Sequence, residues 1–470
     1  MLRSFRDPAG VLIRYGDRIL RAVNATGIAD LEAFFDTRIA REAMGSGKLV
    51  RSVRIAASDV PGFDAGSDYI LEHERIPFPS YPYEWPPEML HAAGTLTLEL
   101  AEQALEEGFR LKDATPYNIL FRGSEPMFVD VLSFERRDPL DAAWMAYAQF
   151  VRTFLLPLMA SRYFGLPVDR ILASQRDGLE PEMVYRWAGF WRRLTPPFLS
   201  LVSLPKWLGA RKSGDESLYK LKPSASPEQA QFILQGLLRS CRRQLAKLDP
   251  VAPGGDSTWS GYLEHKSLYT PAQLAQKESF VAEALELARP RAVLDVGANE
   301  GHFSFLAARH GSSVVAIDSD PMVAGAIWRK ASRAKLDVLP LVVDLTRPTP
   351  AVGWRNQECA SFLDRARESR FDMVMMLAVV HHMLVTERVP LKDILALAAE
   401  LSGQYVLIEF VAPEDPMFQR IVRGRGELYS HLTNASFEAA AAPHFEVLRS
   451  VGINGLHRWI YLFRRRHTTT

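Results

Sequence analysis

Residues 291–304, RAVLDVGANEGHFS, decide how the second half of the chain folds. An apolar run leads into Asp295 and is followed by glycines at 297 and 301, which predicts a buried strand, a tight turn and the start of a helix. Gly297 lets the backbone turn where a Cβ atom would clash. Gly301 lets the chain pass close to a ligand and lets the helix pack against the strand. The stretch predicts a nucleotide-type loop, although a plain turn uses the same residues.

A second strand follows at residues 312–320, SSVVAIDSD, and ends at Asp318. One helix fits between the two strands, as a βαβ unit requires. An acidic side chain at the tip of the second strand can accept hydrogen bonds from both hydroxyls of a ribose. The loop reads D-x-G-x-x-x-G, which is neither the G-x-G-x-x-G of a pyrophosphate site nor a P-loop with its Lys. A nucleoside without phosphates is therefore the predicted ligand.

These motifs resemble those of class I S-adenosylmethionine-dependent methyltransferases, and the resemblance extends over roughly residues 262–466. It implies an α/β fold with a seven-stranded Rossmann-like sheet, S-adenosylmethionine as the cofactor, and methyl transfer as the activity. The implied cofactor-binding residues are Asp295, Gly297, Ala298, Asn299, Gly301, Asp318, Asp344 and Tyr269. Tyr269 precedes a helix that commonly covers the cofactor in this family. Asp344 ends the third strand, where the family binds the adenine amine; a plain helix cap is the alternative.

The fourth strand, within residues 371–383 (FDMVMMLAVVHHM), ends at the point where open α/β sheets bind ligands. His381 or His382 is expected to act as a general base, which is most effective with a pKa near neutrality. Glu409, at the end of the fifth strand, is expected to line the acceptor pocket or to orient the histidine pair. In the alternative, His382 only tethers the loop and positioning alone drives transfer. The strand end has no D/N-P-P-Y/F/W pattern, which argues against methylation of a nucleobase or glutamine amide.

The first half contains a second informative stretch at residues 109–135, FRLKDATPYNILFRGSEPMFVDVLSFE. Its spacing resembles the catalytic loop and metal-binding Asp of protein-kinase-like folds, including small-molecule phosphotransferases. The resemblance implies Asp113 as the residue that accepts the substrate proton, with Asn118 and Asp130 holding Mg²⁺ and ATP. No glycine-rich phosphate loop or V-A-I-K-like Lys is visible in the sequence before it. Asp and Asn also cap ordinary turns, so a degenerate, inactive domain is the preferred interpretation.

The amino-acid composition limits which partners, cysteine-based sites and cellular locations are expected. The 470 residues include 56 basic and 55 acidic side chains, so no overall field would hold the protein on nucleic acid. Two cysteines, Cys241 and Cys359, are too few for a disulfide framework or a zinc cluster. The sequence shows neither a signal peptide core nor an uncharged run long enough to span a membrane. A cytoplasmic location is therefore expected.

The sequence predicts three regions: a kinase-like domain (1–140), a helical region with a linker (141–255) and the methyltransferase domain (256–470). Within the first, residues 10–23 predict a hairpin, 28–44 a helical segment and 88–108 a long helix. Residues 187–212 mix tryptophans with basic residues, which suits peripheral contact with a membrane or a lipid-linked substrate. More often, such a stretch is a helix and loop packed on neighbouring helices, with Arg192, Arg193 and Lys206 in water.

The joined halves also resemble a bacterial group related to a nodulation host-specificity methyltransferase, through DATPYNI, SFE, LAVVHH and IEFV. This resemblance covers nearly the whole chain. It implies an O or N acceptor on a small molecule, a glycan, a glycolipid or another lipid-linked compound. Two alternatives stay open: a bifunctional kinase-methyltransferase, and a protein that binds the cofactor without transferring its methyl group.

Overall fold

The chain forms two compact units, Met1–Thr258 and Trp259–Thr470. The computed structural model describes residues 7–60, 66–209, 224–250 and 269–466. The predicted boundary near residue 255 lies outside the described residues. The division of the first unit near residue 140 stays a prediction.

The first unit opens with a four-stranded antiparallel sheet. Its strands, in the spatial order β1-β2-β4-β3, are β1 (Gly10–Tyr15), β2 (Arg18–Val23), β3 (Ser52–Ile55) and β4 (Ile70–His73). The predicted hairpin is confirmed. Its two-residue loop places Gly16 at a φ of 60°, which glycine adopts without a steric penalty.

Two helices occupy the segment where the sequence predicts one from 28 to 44. They are α1 (Ala25–Phe35) and α2 (Arg38–Gly45). The Thr37 hydroxyl accepts a hydrogen bond from the Ala40 N–H at 3.2 Å. This side-chain cap satisfies a donor at the start of α2, so the chain can bend there without losing the bond.

The middle of the first unit combines a long helix with two pairs of short strands. They are α3 (Pro87–Glu106), β5 (Phe109–Leu111), β6 (Ile119–Arg122), β7 (Glu125–Phe128) and β8 (Phe134–Arg136). Strand β5 pairs with β8, and β6 pairs with β7, both antiparallel. The predicted order of long helix, strand, turn and strand is confirmed.

The rest of the first unit is helical. Its α-helices are α4 (Tyr147–Phe150), α5 (Leu156–Phe164), α6 (Val168–Ser174), α7 (Pro181–Trp187), α8 (Phe190–Arg193), α9 (Leu204–Gly209) and α10 (Pro227–Lys247), with π-helical turns at Val151–Leu155 and Leu199–Ser203. Helix α10 packs on α3, where Arg242 and Glu102 form an ion pair at 2.6 Å. Within the described ranges, no helix is long and apolar enough to cross a membrane.

The second unit contains the predicted seven-stranded sheet. Its strands are β9 (Ala292–Val296), β10 (Ser313–Asp318), β11 (Val338–Val342), β12 (Phe371–Met376), β13 (Ser402–Val411), β14 (Phe445–Gly452) and β15 (Arg458–Arg465). Their order is β11-β10-β9-β12-β13-β15-β14, and β15 runs antiparallel to the other six strands. The chain leaves β9 in one direction and returns to its other side at β12, which creates a switch point at their carboxyl ends.

Helices accompany this sheet throughout the second unit. They are α11 (Pro271–Ala288), α12 (His302–Arg309), α13 (Pro321–Ala334), α14 (Phe362–Ser369), α15 (Val380–Val385), α16 (Leu391–Leu401), α17 (Pro416–Val422) and α18 (Asn434–Ala441). Leu294, Met375 and Leu407, on three adjacent strands, are fully buried. Continuous apolar runs suit strands that are covered on both faces, which is why the central strands were predictable.

Candidate active site

The loop between β9 and α12 requires glycine at both predicted positions. Gly297 and Gly301 have φ values of 69° and 78°, in the left-handed region that favours glycine. A Cβ atom on Gly297 would lie 2.9 Å from the Val379 side chain, and one on Gly301 would lie 2.9 Å from Ile327. Gly297 therefore brings the loop against the segment that follows β12, at the switch point of the sheet, and Gly301 brings it against α13.

Asp295 is buried in β9, and its carboxylate accepts a hydrogen bond from the Ser304 hydroxyl at 2.5 Å. Burial raises the pKa of Asp295 to about 6 because the charged form is desolvated. Ser304 lies in α12, so this bond joins the strand before the glycine loop to the helix after it. Asp295 thereby holds the two ends of the loop together.

Asp318, the last residue of β10, anchors the same loop. Its Oδ2 accepts a hydrogen bond from the Asn299 N–H at 2.9 Å, with Asn299 at a φ of 47°. The N–H groups of Gly297 and Ala298 both donate to the Ile317 carbonyl, at 2.9 and 3.0 Å. Burial raises the pKa of Asp318. The loop is thus fixed to the end of β10 with the half-buried Asp318 carboxylate at its rim.

Asp344 follows β11 and forms a local turn. Its Oδ1 accepts hydrogen bonds from the Thr346 N–H at 2.9 Å and the Thr346 hydroxyl at 2.6 Å. The other oxygen, Oδ2, takes no hydrogen bond from the described residues. Asp344 therefore stabilises the turn through Oδ1. Its binding of the adenine amine stays a prediction, and Oδ2 is the atom left to accept that hydrogen bond.

A buried group of polar side chains lies near the carboxyl end of β13. This strand-end cluster consists of Tyr269, Lys277, Glu409, Asp415 and Arg458. The Glu409 carboxylate accepts hydrogen bonds from the Tyr269 hydroxyl and the Lys277 ammonium, each at 2.5 Å. Arg458 donates to the Tyr269 hydroxyl at 2.6 Å and makes a bidentate contact with Asp415 at 2.8 and 3.0 Å.

The strand-end cluster is balanced in charge. Glu409 and Asp415 have no exposed surface, and Lys277 and Arg458 are 3% exposed. Burial, and next the Glu409 charge, raises the pKa of Tyr269, so its phenol stays protonated and donates. Although burial opposes it, the contact with Asp415 raises the pKa of Arg458. Paired charges with satisfied hydrogen bonds offset the desolvation that isolated buried ions would suffer.

His381 and His382 lie in α15, just after β12, with ring centroids 4.3 Å apart. His381 is buried, and its Nδ1 has no hydrogen-bond partner among the described residues. Burial, and then His382, Arg458 and Lys277, lowers the pKa of His381 to about 3. Burial alone lowers the pKa of the half-buried His382. Burial and the neighbouring charges thus disfavour protonation of His381, and a general base at this pair stays a prediction.

Among the described residues, Glu409 bonds neither histidine, which argues against its expected role in orienting the pair; its place in an acceptor pocket stays a prediction. Both of its carboxylate oxygens are occupied by Tyr269 and Lys277. Sequence reasoning missed Lys277 as a site residue, although helical spacing from the buried Phe280 places it on the inner face of α11. Nothing in the local sequence marks Arg458, because its partners come from distant segments of the chain.

The residues at this edge fit a nucleoside cofactor. Asp318 ends β10 and Asp344 follows the adjacent parallel strand β11, so their carboxylates lie at the same edge of the sheet. Each keeps acceptor capacity beyond its hydrogen bonds to the backbone, which suits the hydroxyl and amine donors of a nucleoside. Gly297, held against Val379, presents no side chain that would narrow the loop.

In the first unit, the structure brings Asp113, Asn118 and Asp130 into one cluster. Asn118 Nδ2 donates to the Ser133 hydroxyl at 3.2 Å, and that hydroxyl donates to Asp130 Oδ2 at 2.6 Å. Burial, and next the Asp130 charge, raises the pKa of Asp113. Sequence reasoning missed the buried Arg21 of β2, which donates to Asp130 Oδ1 at 2.6 Å. Although burial opposes it, Arg21 holds the pKa of Asp130 below its usual value.

The aromatic and basic stretch at 187–212 is described as far as residue 209. Arg193 and Lys206 lie over the Tyr185 ring, at 4.0 and 3.9 Å from its centroid. Phe190 and Trp191 are 65% and 79% exposed. Packing on neighbouring helices therefore accounts for the basic residues, and peripheral membrane contact through the two exposed rings stays a prediction.

Residues 268–456 match the family described as a methyltransferase domain. The matched residues lie in the second unit, whose strand order and glycine loop agree with such a domain, and the comparisons support S-adenosylmethionine as its cofactor. The whole chain is similar to the nodulation protein NoeA of Rhizobium meliloti (strain 1021). The two are 29% identical over 466 residues, which cover 98% of this chain and 95% of NoeA.

The solved structures that are similar to this chain include two methyltransferases. The N-methyltransferase NodS from Bradyrhizobium japonicum WM9 is 11% identical, with 42% of this chain and 97% of NodS covered and a TM-score of 0.32. Magnesium protoporphyrin IX methyltransferase (ChlM) from Synechocystis PCC 6803, with bound SAH, is 17% identical, with 41% and 84% covered and a TM-score of 0.30.

Proposed function

We propose that this protein transfers the methyl group of S-adenosylmethionine to an oxygen or nitrogen of a small-molecule, glycan or glycolipid acceptor. The proposal rests on one observation: the glycine loop, Asp318 and the two histidines lie at the same edge of the sheet. The bound cofactor supplies an electrophilic methyl group. The protein therefore has to align donor and acceptor and take up the acceptor proton.

The proposed cofactor contacts follow from the loop geometry. Asp318 accepts from the ribose hydroxyls, and Asp344 Oδ2 accepts from the adenine amine. The backbone at Gly297, Ala298, Asn299 and Gly301 borders the cofactor, while Asp295 holds the loop from below. Tyr269 borders the methionine portion, because Arg458 and Glu409 fix its hydroxyl at the carboxyl end of β13.

We assign the base to His382. Burial, and then the neighbouring His382, Arg458 and Lys277, lowers the pKa of His381 to about 3, so its imidazole stays neutral. His382 is half-buried, and only burial lowers its pKa. An imidazole that can become protonated is required of a general base. Neutral His381 then serves as a packing neighbour that positions the His382 ring.

The direct test is calorimetric titration of the full chain with S-adenosylhomocysteine. We expect wild type to bind and Asp318→Ala to bind at least about 10-fold more weakly, since it loses charge-assisted hydrogen bonds. Asp372→Ala is the matched control. Asp372 also accepts two backbone N–H bonds, at 2.8 and 3.1 Å, but at the opposite end of β12. No binding by wild type, or equal loss in both variants, would refute the cofactor site.

Transfer itself needs a separate measurement. A cell extract incubated with the protein and labelled cofactor should gain label in a small-molecule, glycan or lipid fraction. Binding of S-adenosylhomocysteine without label in any fraction would instead support a cofactor-binding protein that transfers nothing.

For the first unit we propose a degenerate kinase-like fold that presents the acceptor or docks a partner. The order of long helix, paired strands and the Asp113, Asn118 and Asp130 cluster supports this fold. Arg21 supports the loss of phosphoryl transfer, because it occupies an oxygen of Asp130 that Mg²⁺ would need. The bifunctional alternative rests on the same three residues.

A thermal-shift series with ATP and Mg²⁺ separates these two interpretations, since a ligand that binds only the native state raises its melting temperature. We expect no stabilisation of wild type. Stabilisation that disappears in Asp130→Asn but persists in Asp138→Asn, which changes an exposed carboxylate, would favour the bifunctional enzyme.

A further inference from the structure

A cavity of about 720 Å³ opens on the second unit beside α15 and α17. These helices follow the carboxyl ends of β12 and β13, so the cavity lies at the same edge of the sheet as the histidine pair. Apolar side chains form much of its lining, including Leu384 and Val389 on one side and Ile421 on the other. Its size is that of a typical small-ligand site.

Four arginines line the same cavity: Arg388, Arg420, Arg423 and Arg425. Among the described residues, no carboxylate pairs with any of them, and no Asp or Glu belongs to the described lining. All four are exposed, so water and salt screen much of their mutual repulsion, and a bound anion would offset the rest. The cavity therefore combines an apolar wall with an unbalanced positive rim.

Helix α17, which forms one side of the cavity, is held in place by the strand-end cluster. Asp415 Oδ1 accepts a hydrogen bond from the Met417 N–H at 2.8 Å, which caps the start of α17. The same carboxylate is bound by Arg458. Because Asp415 is fully buried, this end of the helix is fixed before any ligand arrives.

We propose that this cavity is the acceptor site and that the acceptor is an amphiphile with an anionic group, a phosphate or a carboxylate. The assignment rests on the proposed methyl transfer. The guanidinium forks hold the anionic group, and the apolar portion lies against α15 and α17. His382 lies on α15 two residues before Leu384 of the lining, and the proposal places the hydroxyl or amine of the anchored acceptor at this base.

Calorimetry on the full chain tests the proposal with three probes at concentrations below micelle formation. Decyl phosphate and decanoate carry the two candidate anionic groups, and octyl glucoside is the neutral control. The test variant is Arg420→Gln/Arg423→Gln/Arg425→Gln. The matched control is Arg309→Gln/Arg333→Gln/Lys335→Gln, which removes three exposed cations from α12, α13 and the residue that follows it.

We expect wild type and the control variant to bind at least one anionic probe, and the test variant to bind it about 10-fold or more weakly. Stronger binding of decyl phosphate than of decanoate would identify the group as a phosphate. Equal binding by both variants, or binding of octyl glucoside as tightly as the anions, would overturn the proposal.

Titration with S-adenosylhomocysteine separates this proposal from the proposed function. All three proteins should bind it with similar affinity. If they do and no anionic probe binds wild type, the anionic acceptor is refuted while methyl transfer stands. If wild type fails to bind S-adenosylhomocysteine, the proposed function falls and the acceptor assignment falls with it.

Discussion

Replacing Lys277 by Met removes one cation from the strand-end cluster. The change leaves the fully buried Glu409 carboxylate with the Tyr269 hydroxyl at 2.5 Å and Arg458 at 3.7 Å. Breaking a buried pair on one side typically costs about 3–5 kcal/mol. Because Tyr269 and Arg458 remain, we expect the lower end, about 3 kcal/mol. In a domain of this size, that loss corresponds to a melting temperature about 6–12 °C lower.

Scanning calorimetry on the full chain measures the effect. The unfolding transition of the second unit is recognised because S-adenosylhomocysteine raises its melting temperature. The control is Arg367→Met, which removes a comparable ion pair with Glu400 at 2.8 Å, in which both side chains are about half exposed. Such a pair contributes at most about 1 kcal/mol.

The double variant Lys277→Met/Glu409→Gln completes a thermodynamic cycle. We expect it to be less destabilised than the sum of its single variants, because it leaves no unpaired carboxylate. The reasoning would be refuted if Lys277→Met lowered the melting temperature no more than Arg367→Met, or if the two single effects were additive.

Three further predictions follow from the loop and the histidines. His382→Ala should lower turnover about 10²- to 10⁴-fold while S-adenosylhomocysteine affinity stays unchanged; full turnover across pH 6 to 8 would exclude a base there. Burial lowers the folded-state pKa of His381 to about 3, so as pH falls below about 6.5 only the unfolded state gains a proton at this site and stability declines. His381→Gln should flatten that decline in urea unfolding between pH 6.5 and 5; Asp295, with its pKa raised to about 6, acts in the opposite direction in both proteins. Gly297→Ala should weaken S-adenosylhomocysteine binding about 10-fold or more. Adding Val379→Ala should restore only part of it, because the Cβ of residue 379 stays 3.0 Å from the new Cβ and the φ of 69° stays unfavourable; full restoration would contradict this reasoning.

The sheet of the second unit was predictable because each signal is local. Buried parallel strands are short apolar runs, and Gly297 and Gly301 mark the turn after the first of them. Asp318 was recognisable for the same reason, since it ends such a run. In the first unit, the spacing of apolar residues did not show the break between α1 and α2. The Thr37 side-chain cap starts a new helix there, while the apolar pattern continues across the break.

The chemistry around the histidines was less predictable, because it depends on side chains from distant segments. Neighbouring strands can be inferred from the fold, but the partners of each side chain cannot. The Glu409 carboxylate therefore accepts hydrogen bonds from Tyr269 and Lys277 and not from the histidines. The lowered pKa of His381 likewise arises from burial and from cations on α11 and β15, which no local pattern places beside it.

The strand-end cluster also bears on how this sequence can change over evolution. Its two cations and two carboxylates are buried together and share partners, so replacing any one of them leaves a charge without compensation. Single substitutions should therefore be harmful in most backgrounds and tolerated only beside a matching change. Lys277 with Glu409, and Arg458 with Asp415, should accordingly vary as pairs, with the order of the two mutations constrained by the cost of the intermediate.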